Sequence, residues 1–387
     1  MPTGRPAGPV PPAWVAPPRA GGRSIESIIP SAALRLGVTL GPDWAADQAG
    51  CGGSGDAARG IVLLLADGLG VANLAARRGH APFLWEAEPE RLTTVFPSTT
   101  VAALGSLGTG LSPGVTALAG YSLRDPATGQ RATLNKWDTP TAPTTWQPHP
   151  TLFERFAAAG RPATFIGEAR FEDSAMTLSS LRGARFVPAE TAPAARVAVT
   201  VGQARRAEGL IYLYWGDLDK IGHAQGWESP AWAEALEALD GAVRELAQAL
   251  PRGWELWVTA DHGMVDVTGA PLWDVRQIPA LSDGVSMVAG EARAVHVYTD
   301  QVGAVVERWR SVLGEGAWVL TRSEAIAADL FGPVDDRVLP YLGDVIVALA
   351  GRGVVVDAVD ESKPPMIGHH GSLTAQEMEI PLIRLTR

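Results

Sequence analysis

The sequence has little cysteine and no long apolar run. Its single cysteine, Cys51, can form neither a disulfide within the chain nor a thiolate cluster, so any metal must be held by oxygen and imidazole ligands. No stretch reaches the roughly 18 apolar residues of a membrane-spanning helix. The first 22 residues are rich in proline, alanine and glycine and lack the apolar centre of a signal peptide. We therefore expect a cytoplasmic protein without a membrane partner.

Positive charge is also scarce. The 387 residues include 32 lysines and arginines against 42 aspartates and glutamates, which gives a net charge of −10. Because a protein that binds duplex nucleic acid needs a basic surface, we exclude nucleic acid duplexes as partners. Apolar residues make up 46% of the chain, as in a globular protein with a sizeable core.

Recurring apolar runs predict a parallel β-sheet. Residues 61–66 form a continuous apolar run that ends at Asp67-Gly68, as expected of a strand buried on both faces. Similar runs occur at 163–167, 210–215 and 254–260. Helical patterns lie between them, most clearly after Ser229-Pro230. This alternation predicts an α/β fold with a mostly parallel sheet sandwiched between helices.

Changes of pattern divide the chain into three predicted parts. Residues 1–57 combine a Pro-rich tract, a short helical pattern and a Gly-rich run, and predict an N-terminal extension. Residues 58–265 and 364–387 form the predicted core. Residues 266–363 change to a β-α-β-α pattern, with strands expected over 293–298 and 318–321 and helices over 302–313 and 323–330. This pattern predicts a small α+β cap insert.

Candidate metal ligands follow three of the apolar runs. The candidates are Asp67, Asp219, His223, Asp261, His262 and one of the adjacent His369 and His370, of which His370 beside Gly371 is favoured. Because parallel strands end at one edge of a sheet, we expect these side chains to lie together. Carboxylate and imidazole are ligands for Zn or Mn, and phosphate ester hydrolysis commonly uses two such ions about 4 Å apart.

A candidate nucleophile lies in the segment Phe96-Pro97-Ser98-Thr99-Thr100, which precedes a helical pattern. A hydroxyl at the start of a helix faces unpaired N–H groups that favour an anion. A nearby metal ion can lower the pKa of such a hydroxyl and make it a nucleophile.

The order of these motifs resembles the nucleotide pyrophosphatase/phosphodiesterase family of the alkaline phosphatase superfamily. The motifs are Asp67-Gly68, Phe96 to Thr100, Thr109-Gly110 with Pro113, Asp219 to His223, Asp261 to Met264 and His370-Gly371. The resemblance covers residues 60–387, interrupted by the cap, and implies an alkaline-phosphatase-like fold. It also implies two divalent metal ions, with Zn as the first choice and Mn as the alternative. It implies one ion on Asp219, His223 and His370, and the other on Asp67, Thr100, Asp261 and His262.

The resemblance also implies the reaction. The family's nucleophile lies three residues after the proline, which identifies Thr100 and leaves Thr99 as its nearest competitor. The implied activity is hydrolysis of phosphodiester or pyrophosphate bonds in small, nucleotide-type molecules through a phosphothreonine intermediate. The family usually has an asparagine about twenty residues after the nucleophile, whereas this chain has Gly120-Tyr121-Ser122 there.

The lack of positive charge near Thr100 favours diesters over monoesters. Residues 95–122 contain no lysine or arginine, and a monoester dianion needs an extra cationic group. Such a group could come from elsewhere, and the candidates are Arg124, Lys136, Arg170 and Lys220. A phosphomonoesterase is therefore the alternative enzyme. A non-catalytic binding protein on the same fold would lack ligands, but all seven expected positions are filled. A sulfatase would need a Cys/Ser-x-Pro-x-Arg motif, which the nucleophile segment lacks.

Overall fold

The computed structural model describes residues 9–18, 23–41, 57–359, 362 and 364–386. Cys51 and the Gly-rich run at 50–55 lie outside these ranges. Within them, no helix combines the length and the apolar character needed to cross a bilayer.

Seventeen strands occur in the described ranges. In chain order they are β1 (Gly60–Ala66), β2 (Glu90–Thr93), β3 (Ser122–Arg124), β4 (Arg131–Thr133), β5 (Thr164–Gly167), β6 (Arg185–Pro188), β7 (Gly209–Trp215), β8 (Trp254–Thr259), β9 (Val265–Asp266), β10 (Leu272–Asp274), β11 (Met287–Glu291), β12 (Ala294–Tyr298), β13 (Ala317–Thr321), β14 (Val345–Leu349), β15 (Val354–Val356), β16 (Gly368–His369) and β17 (Glu379–Thr386).

Fourteen α-helices accompany these strands in the described ranges. They are α1 (Ile28–Arg35), α2 (Val71–Ala76), α3 (Pro82–Glu86), α4 (Thr100–Thr109), α5 (Pro113–Thr116), α6 (Pro143–Trp146), α7 (Leu152–Ala158), α8 (Pro193–Arg206), α9 (Asp217–Gln225), α10 (Pro230–Ala249), α11 (Pro279–Ser282), α12 (Val302–Leu313), α13 (Arg322–Ala327) and α14 (Ala375–Met378). A π-helical segment spans Thr177–Leu181.

The central sheet has seven strands in the order β2-β17-β8-β1-β7-β5-β6. Strands β8, β1, β7, β5 and β6 run parallel, and β17 joins β8 and β2 in antiparallel fashion. Every residue of β1 is buried, so both faces of the sheet are covered. The predicted α/β fold with a mostly parallel sheet is confirmed.

The long helix after β7 illustrates why these elements form where they do. Ser229 precedes α10 and its hydroxyl accepts a hydrogen bond from the N–H of Trp232 at 3.2 Å. Pro230 occupies the first helical position, where a missing N–H costs nothing. The apolar side chains of α10, including Leu236, Leu239 and Val243, are buried in the main core.

Residues 266–363 contain a second sheet. Its four antiparallel strands have the order β11-β12-β14-β13, and α12 packs against β13 and β14 over a separate apolar cluster. The strands expected around 293–298 and 318–321 and the helix expected over 302–313 are confirmed as β12, β13 and α12. The helix expected to reach residue 330 ends at Ala327, two residues before Asp329 adopts a positive φ of 60°.

Helix α1 lies within the predicted N-terminal extension, and its short helical pattern is confirmed. Ile28, Ile29 and Ala32 of this helix are fully buried and belong to the same apolar cluster as β1 and α10. Residues 23–41 are therefore part of the main core. The boundaries proposed for the extension, core and cap stay predictions.

Candidate metal centre

The parallel strands bring the candidate ligands to one edge of the sheet. Asp67 directly follows β1, and Asp261 follows β8 by two residues. The register places Ala66 opposite Trp215 and Leu65 opposite Thr259, so β1, β7 and β8 end at the same level. Helix α9, which begins two residues after β7, presents Asp219 and His223 one turn apart.

One group of ligand atoms surrounds the Nε2 atom of His262. This nitrogen lies 3.5 Å from Oδ1 of Asp67, 3.4 Å from Oδ2 of Asp261 and 3.2 Å from Oγ1 of Thr100. All three of the residues Asp67, Asp261 and His262 are buried.

A second group surrounds the Oδ1 atom of Asp219. His223 places Nε2 at 3.2 Å and His370 places Nε2 at 3.8 Å from this oxygen. Asp219 also forms a cluster with Asp67 and His262, and the potential ligand atoms of each cluster lie within 4.8 Å of one another. The two groups therefore adjoin at Asp219, and the rings of His262 and His370 stack with centroids 3.6 Å apart.

Backbone carbonyls fix the orientation of the three imidazoles. His223 donates its Nδ1–H to the carbonyl oxygen of Gly368. His262 donates in the same way to Gly263, and His370 to Ser98. Each Nε2 is then free of its proton and points into the cluster, as a metal ligand requires. His369 belongs to neither cluster; its ring lies 6.5 Å from that of His223.

The electrostatics of the cluster fit a pair of cations. Oδ1 of Asp67, Oδ1 of Asp219 and Oδ2 of Asp261 are buried and have no hydrogen-bond partner among the described residues. Burial, reinforced by neighbouring carboxylates, raises the pKa of Asp219 and of Asp261 to about 7 and that of Asp67 well above its usual range. Burial also lowers the pKa of His262 to about 4. These acidic groups need a cation to stay charged at neutral pH.

The donor set is consistent with a bimetallic site. Three carboxylates and three neutral imidazoles are all ligands that Zn and Mn accept, and the orphaned oxygens converge where ions would bind. The described residues thus bring together all seven of the predicted site residues.

Thr100 occupies the first position of α4. Thr100 is partly exposed, whereas Thr99 is 2% exposed and lies beside Glu291 in the cap sheet. Helix α4 has ten residues, and its first N–H groups are unpaired within the helix. Of the two candidate threonines, Thr100 therefore has its hydroxyl at the cluster.

Two residues near this centre escaped the sequence analysis. Tyr214 of β7 donates a hydrogen bond from its hydroxyl to Oδ2 of Asp67. Asn135 lines the same pocket as Thr100, whereas the resemblance implied an asparagine about twenty residues after Thr100. The β3–β4 hairpin lies between these positions, so a count along the chain could not find Asn135. A search for the first asparagine after Thr100 would have found it.

Comparison with known proteins defines the family. Residues 61–373 match the family described as type I phosphodiesterase / nucleotide pyrophosphatase, which covers most of the chain. The chain belongs to this family. The predicted membership, and with it the assignment to the alkaline phosphatase superfamily, is confirmed.

Curated proteins that are similar to part of the chain include phosphopentomutases. That of Methylobacterium radiotolerans is 29% identical over 202 residues, which represent 50% of this chain and 45% of the relative. That of Methylobacterium nodulans is 29% identical over 182 residues, or 45% and 41% of the two chains. The chain thus spans less than half the length of these curated relatives.

Solved structures share the fold. A phosphonoacetate hydrolase from Sinorhizobium meliloti 1021 in complex with phosphonoformate has a TM-score of 0.66 at 21% identity, over 85% of this chain and 90% of that one. Murine ectonucleotide pyrophosphatase/phosphodiesterase 5, an inactive threonine-to-alanine variant in complex with AMP, has a TM-score of 0.64 at 17% identity, over 84% and 87%. The alkaline-phosphatase-like fold is confirmed.

Proposed function

We propose that this member of the type I phosphodiesterase family hydrolyses phosphodiester or pyrophosphate bonds, with Thr100 as nucleophile and two divalent ions in the adjoining cluster. The observation that carries the proposal is the Thr100 hydroxyl, which lies 3.2 Å from Nε2 of His262. Unsatisfied oxygens of Asp67 and Asp261 approach the same nitrogen. A hydroxyl in this position can lose its proton and attack phosphorus.

The ligand sets proposed from the family are retained. Asp219, His223 and His370 would hold one ion, and Asp67, Asp261, His262 and Thr100 would hold the other. Zn or Mn bound there would lower the pKa of the hydroxyl and neutralise the phosphoryl oxygens.

The reaction then proceeds in two displacements. Oγ1 of Thr100 forms a bond to phosphorus while the bond to the leaving oxygen breaks, which gives a phosphothreonine. Water next attacks the same phosphorus and releases Thr100. The unpaired N–H groups at the start of α4 stabilise the transferred phosphoryl group, because they lie beside the nucleophile.

A pocket beside Thr100 supports an organic group on the substrate. Its walls include the aromatic rings of Phe165, Phe171, Tyr212 and Tyr214, and none of its lining residues is charged. Aromatic walls stack on flat groups such as a nucleoside base. The murine relative was solved with AMP, which supports a nucleotide-type substrate here.

The positions of the basic residues favour diesters. The guanidinium of Arg124 lies over the ring of Tyr298 at 4.6 Å, and that of Arg170 donates two hydrogen bonds to Glu168. Lys136 and Lys220 are exposed. None of the four lines the Thr100 pocket to offset the second charge of a monoester.

A phosphomonoesterase is the second candidate, because the similar phosphopentomutases are named for sugar phosphates. The deciding experiment compares kcat/KM for a nitrophenyl diester and the corresponding monoester, with the same metal and Thr100→Ala as a blank. We expect the diester to be cleaved faster. A monoester preference of tenfold or more would reject the diesterase proposal and support the phosphomonoesterase. Turnover of neither, with both ions bound, would support a binding protein.

A further inference from the structure

Ser98 directs all of its polar groups at one short segment of the C-terminal region. Its N–H donates to the carbonyl oxygen of Gly371 at 3.0 Å, and its hydroxyl donates to the carbonyl oxygen of Ser372 at 2.7 Å. The same hydroxyl accepts from the N–H of Gly371 at 3.1 Å. Its carbonyl oxygen accepts from Nδ1–H of His370 at 2.9 Å. Ser98 is fully buried.

These four hydrogen bonds join two functional segments that are far apart in sequence. Ser98 precedes the proposed nucleophile Thr100 by two residues, and its partners begin at the proposed metal ligand His370. Fixing one segment against the other therefore fixes the hydroxyl of Thr100 relative to Nε2 of His370.

The segment has little room to adjust without Ser98. Gly371 has a φ of +130°, and a Cβ added there would lie 2.6 Å from Cγ of Glu291. On its other side, the Glu377 carboxylate accepts from the N–H of Ser372 at 3.0 Å and pairs with the buried Arg293. Ser98 closes the remaining side, which faces the nucleophile.

We propose that Ser98 is a positioning residue, which sets His370 in register with Thr100 and thereby controls the affinity of the ion held by Asp219, His223 and His370. The inference rests on the proposed metal assignment and not on the identity of the substrate. Ser98→Ala removes both bonds of the hydroxyl and leaves the Gly371 N–H and the Ser372 carbonyl buried without this partner.

The test measures metal affinity without substrate. Co²⁺ binding to the full chain is followed by visible absorption and by competition with a chelator, and His223→Ala and Asp261→Asn identify the signals of the two ions. In Ser98→Ala, we expect the ion on Asp219, His223 and His370 to bind roughly tenfold or more weakly, as for other groups that orient metal ligands. The other ion should change much less.

Ser31→Ala is the matched control. Ser31 is also fully buried, and its hydroxyl donates to the carbonyl oxygen of Ser27 at 2.7 Å, within the N-terminal helical region. The Ser31→Ala variant should leave the affinities for both ions unchanged. A second variant, Ser98→Cys, keeps a side chain of similar shape but offers only a weak hydrogen-bond donor. It should therefore lower the affinity for the ion on Asp219, His223 and His370 by a smaller factor than Ser98→Ala does.

Unchanged affinities, or equal weakening of both ions in Ser98→Ala, would overturn the proposal. If that variant does not fold, Ser98→Cys decides by the same criterion. A failed diesterase assay would leave the metal measurement intact, and unchanged metal affinities in Ser98→Ala would leave the proposed reaction intact.

Discussion

Tyr214 donates its hydroxyl hydrogen bond to Oδ2 of Asp67, while Oδ1 of the same carboxylate faces Nε2 of His262 at 3.5 Å. The bond orients the carboxylate and favours its charged form, so it lowers the pKa that burial raises. Tyr214 therefore orients a carboxylate that we propose as a metal ligand.

Tyr214→Phe should lower the affinity for the ion assigned to Asp67, Asp261 and His262 by roughly tenfold to a hundredfold. The reason is that a proton competes better with the ion for Asp67 when the hydrogen bond from Tyr214 is lost. Metal loading should also require a higher pH. Tyr212→Phe is the matched control, since the buried Tyr212 hydroxyl has no hydrogen-bond partner among the described residues. Equal metal affinity in the two variants, measured by chelator competition, would contradict the role of Tyr214.

The metal-free protein should lose stability between pH 6.5 and 8. The pKa of Asp219 and of Asp261 rises from 3.8 to about 7 on folding, so their contribution is present below pH 3.8 and is lost as the pH passes through 7. His262, His296 and His369, whose pKa burial lowers to about 4, oppose this trend mainly below pH 6.5 and become neutral in both states above it. Thermal melts at pH 6.5 and 8 measure the effect.

Saturating Zn or Mn should therefore raise the melting temperature more at pH 8 than at pH 6.5. The double variant Asp219→Asn with Asp261→Asn removes two of the titrating groups and should make this loss of stability smaller in the metal-free protein. Burial also raises the pKa of Glu26 to about 7, that of Glu291 to about 8 and that of Asp67 well above its usual range, so these groups keep part of the loss. A melting temperature that rises from pH 6.5 to 8 without metal would show that these carboxyl groups keep ordinary pKa values.

Thr100→Ala should lower turnover by several orders of magnitude while both ions still bind, because it removes the atom that forms the covalent bond. Thr99→Ala should cost far less, since Thr99 is 2% exposed and faces the cap. Diesterase kinetics and metal content measured on the two purified variants separate the roles. The opposite ranking would move the nucleophile by one position.

Gly263→Ala should destabilise the protein by about 1–3 kcal/mol and lower the affinity for the ion assigned to His262. A Cβ at Gly263 would lie 1.9 Å from the backbone oxygen of Gln376, which cannot move aside as a side chain can. The shift would reach His262, because its Nδ1–H donates to the carbonyl of Gly263. Gly241→Ala, with open space in α10, should be neutral or stabilising in denaturant melts.

The fold was predictable where apolar patterns are long and regular. The runs that became β1 and β7 are uninterrupted, and α10 carries both its cap and its apolar spacing in the sequence. The cap sheet was only partly predicted. Its strands β12 and β14 pair across residues 299–344, which include α12 and α13, and periodicity does not reveal such pairing.

The candidate site was also predictable from the sequence only in part. Asp67 and Asp261 follow predicted strands, so their meeting could be inferred from the parallel sheet. In the sequence, Tyr214 is indistinguishable from the core residues around it in the apolar run. Its hydrogen bond to Asp67 depends on the pairing of β7 with β1, which aligns Tyr214 with Leu65, two residues before Asp67. Ser98 similarly acquires its role from a segment that is more than 270 residues away.

The strand order β8-β1-β7 sets the spacing of the segments that carry the candidate ligands. Neighbouring strands lie about 4.8 Å apart, a spacing fixed by peptide hydrogen bonds, and two-metal sites for phosphoryl transfer need ions about 4 Å apart. Asp67 and Asp261 follow the neighbouring strands β1 and β8 of this lattice, and Asp219 lies in the first turn of α9, the helix that follows β7. The cap and the loops can therefore change length and shape to suit new substrates without altering the separation on which the chemistry depends.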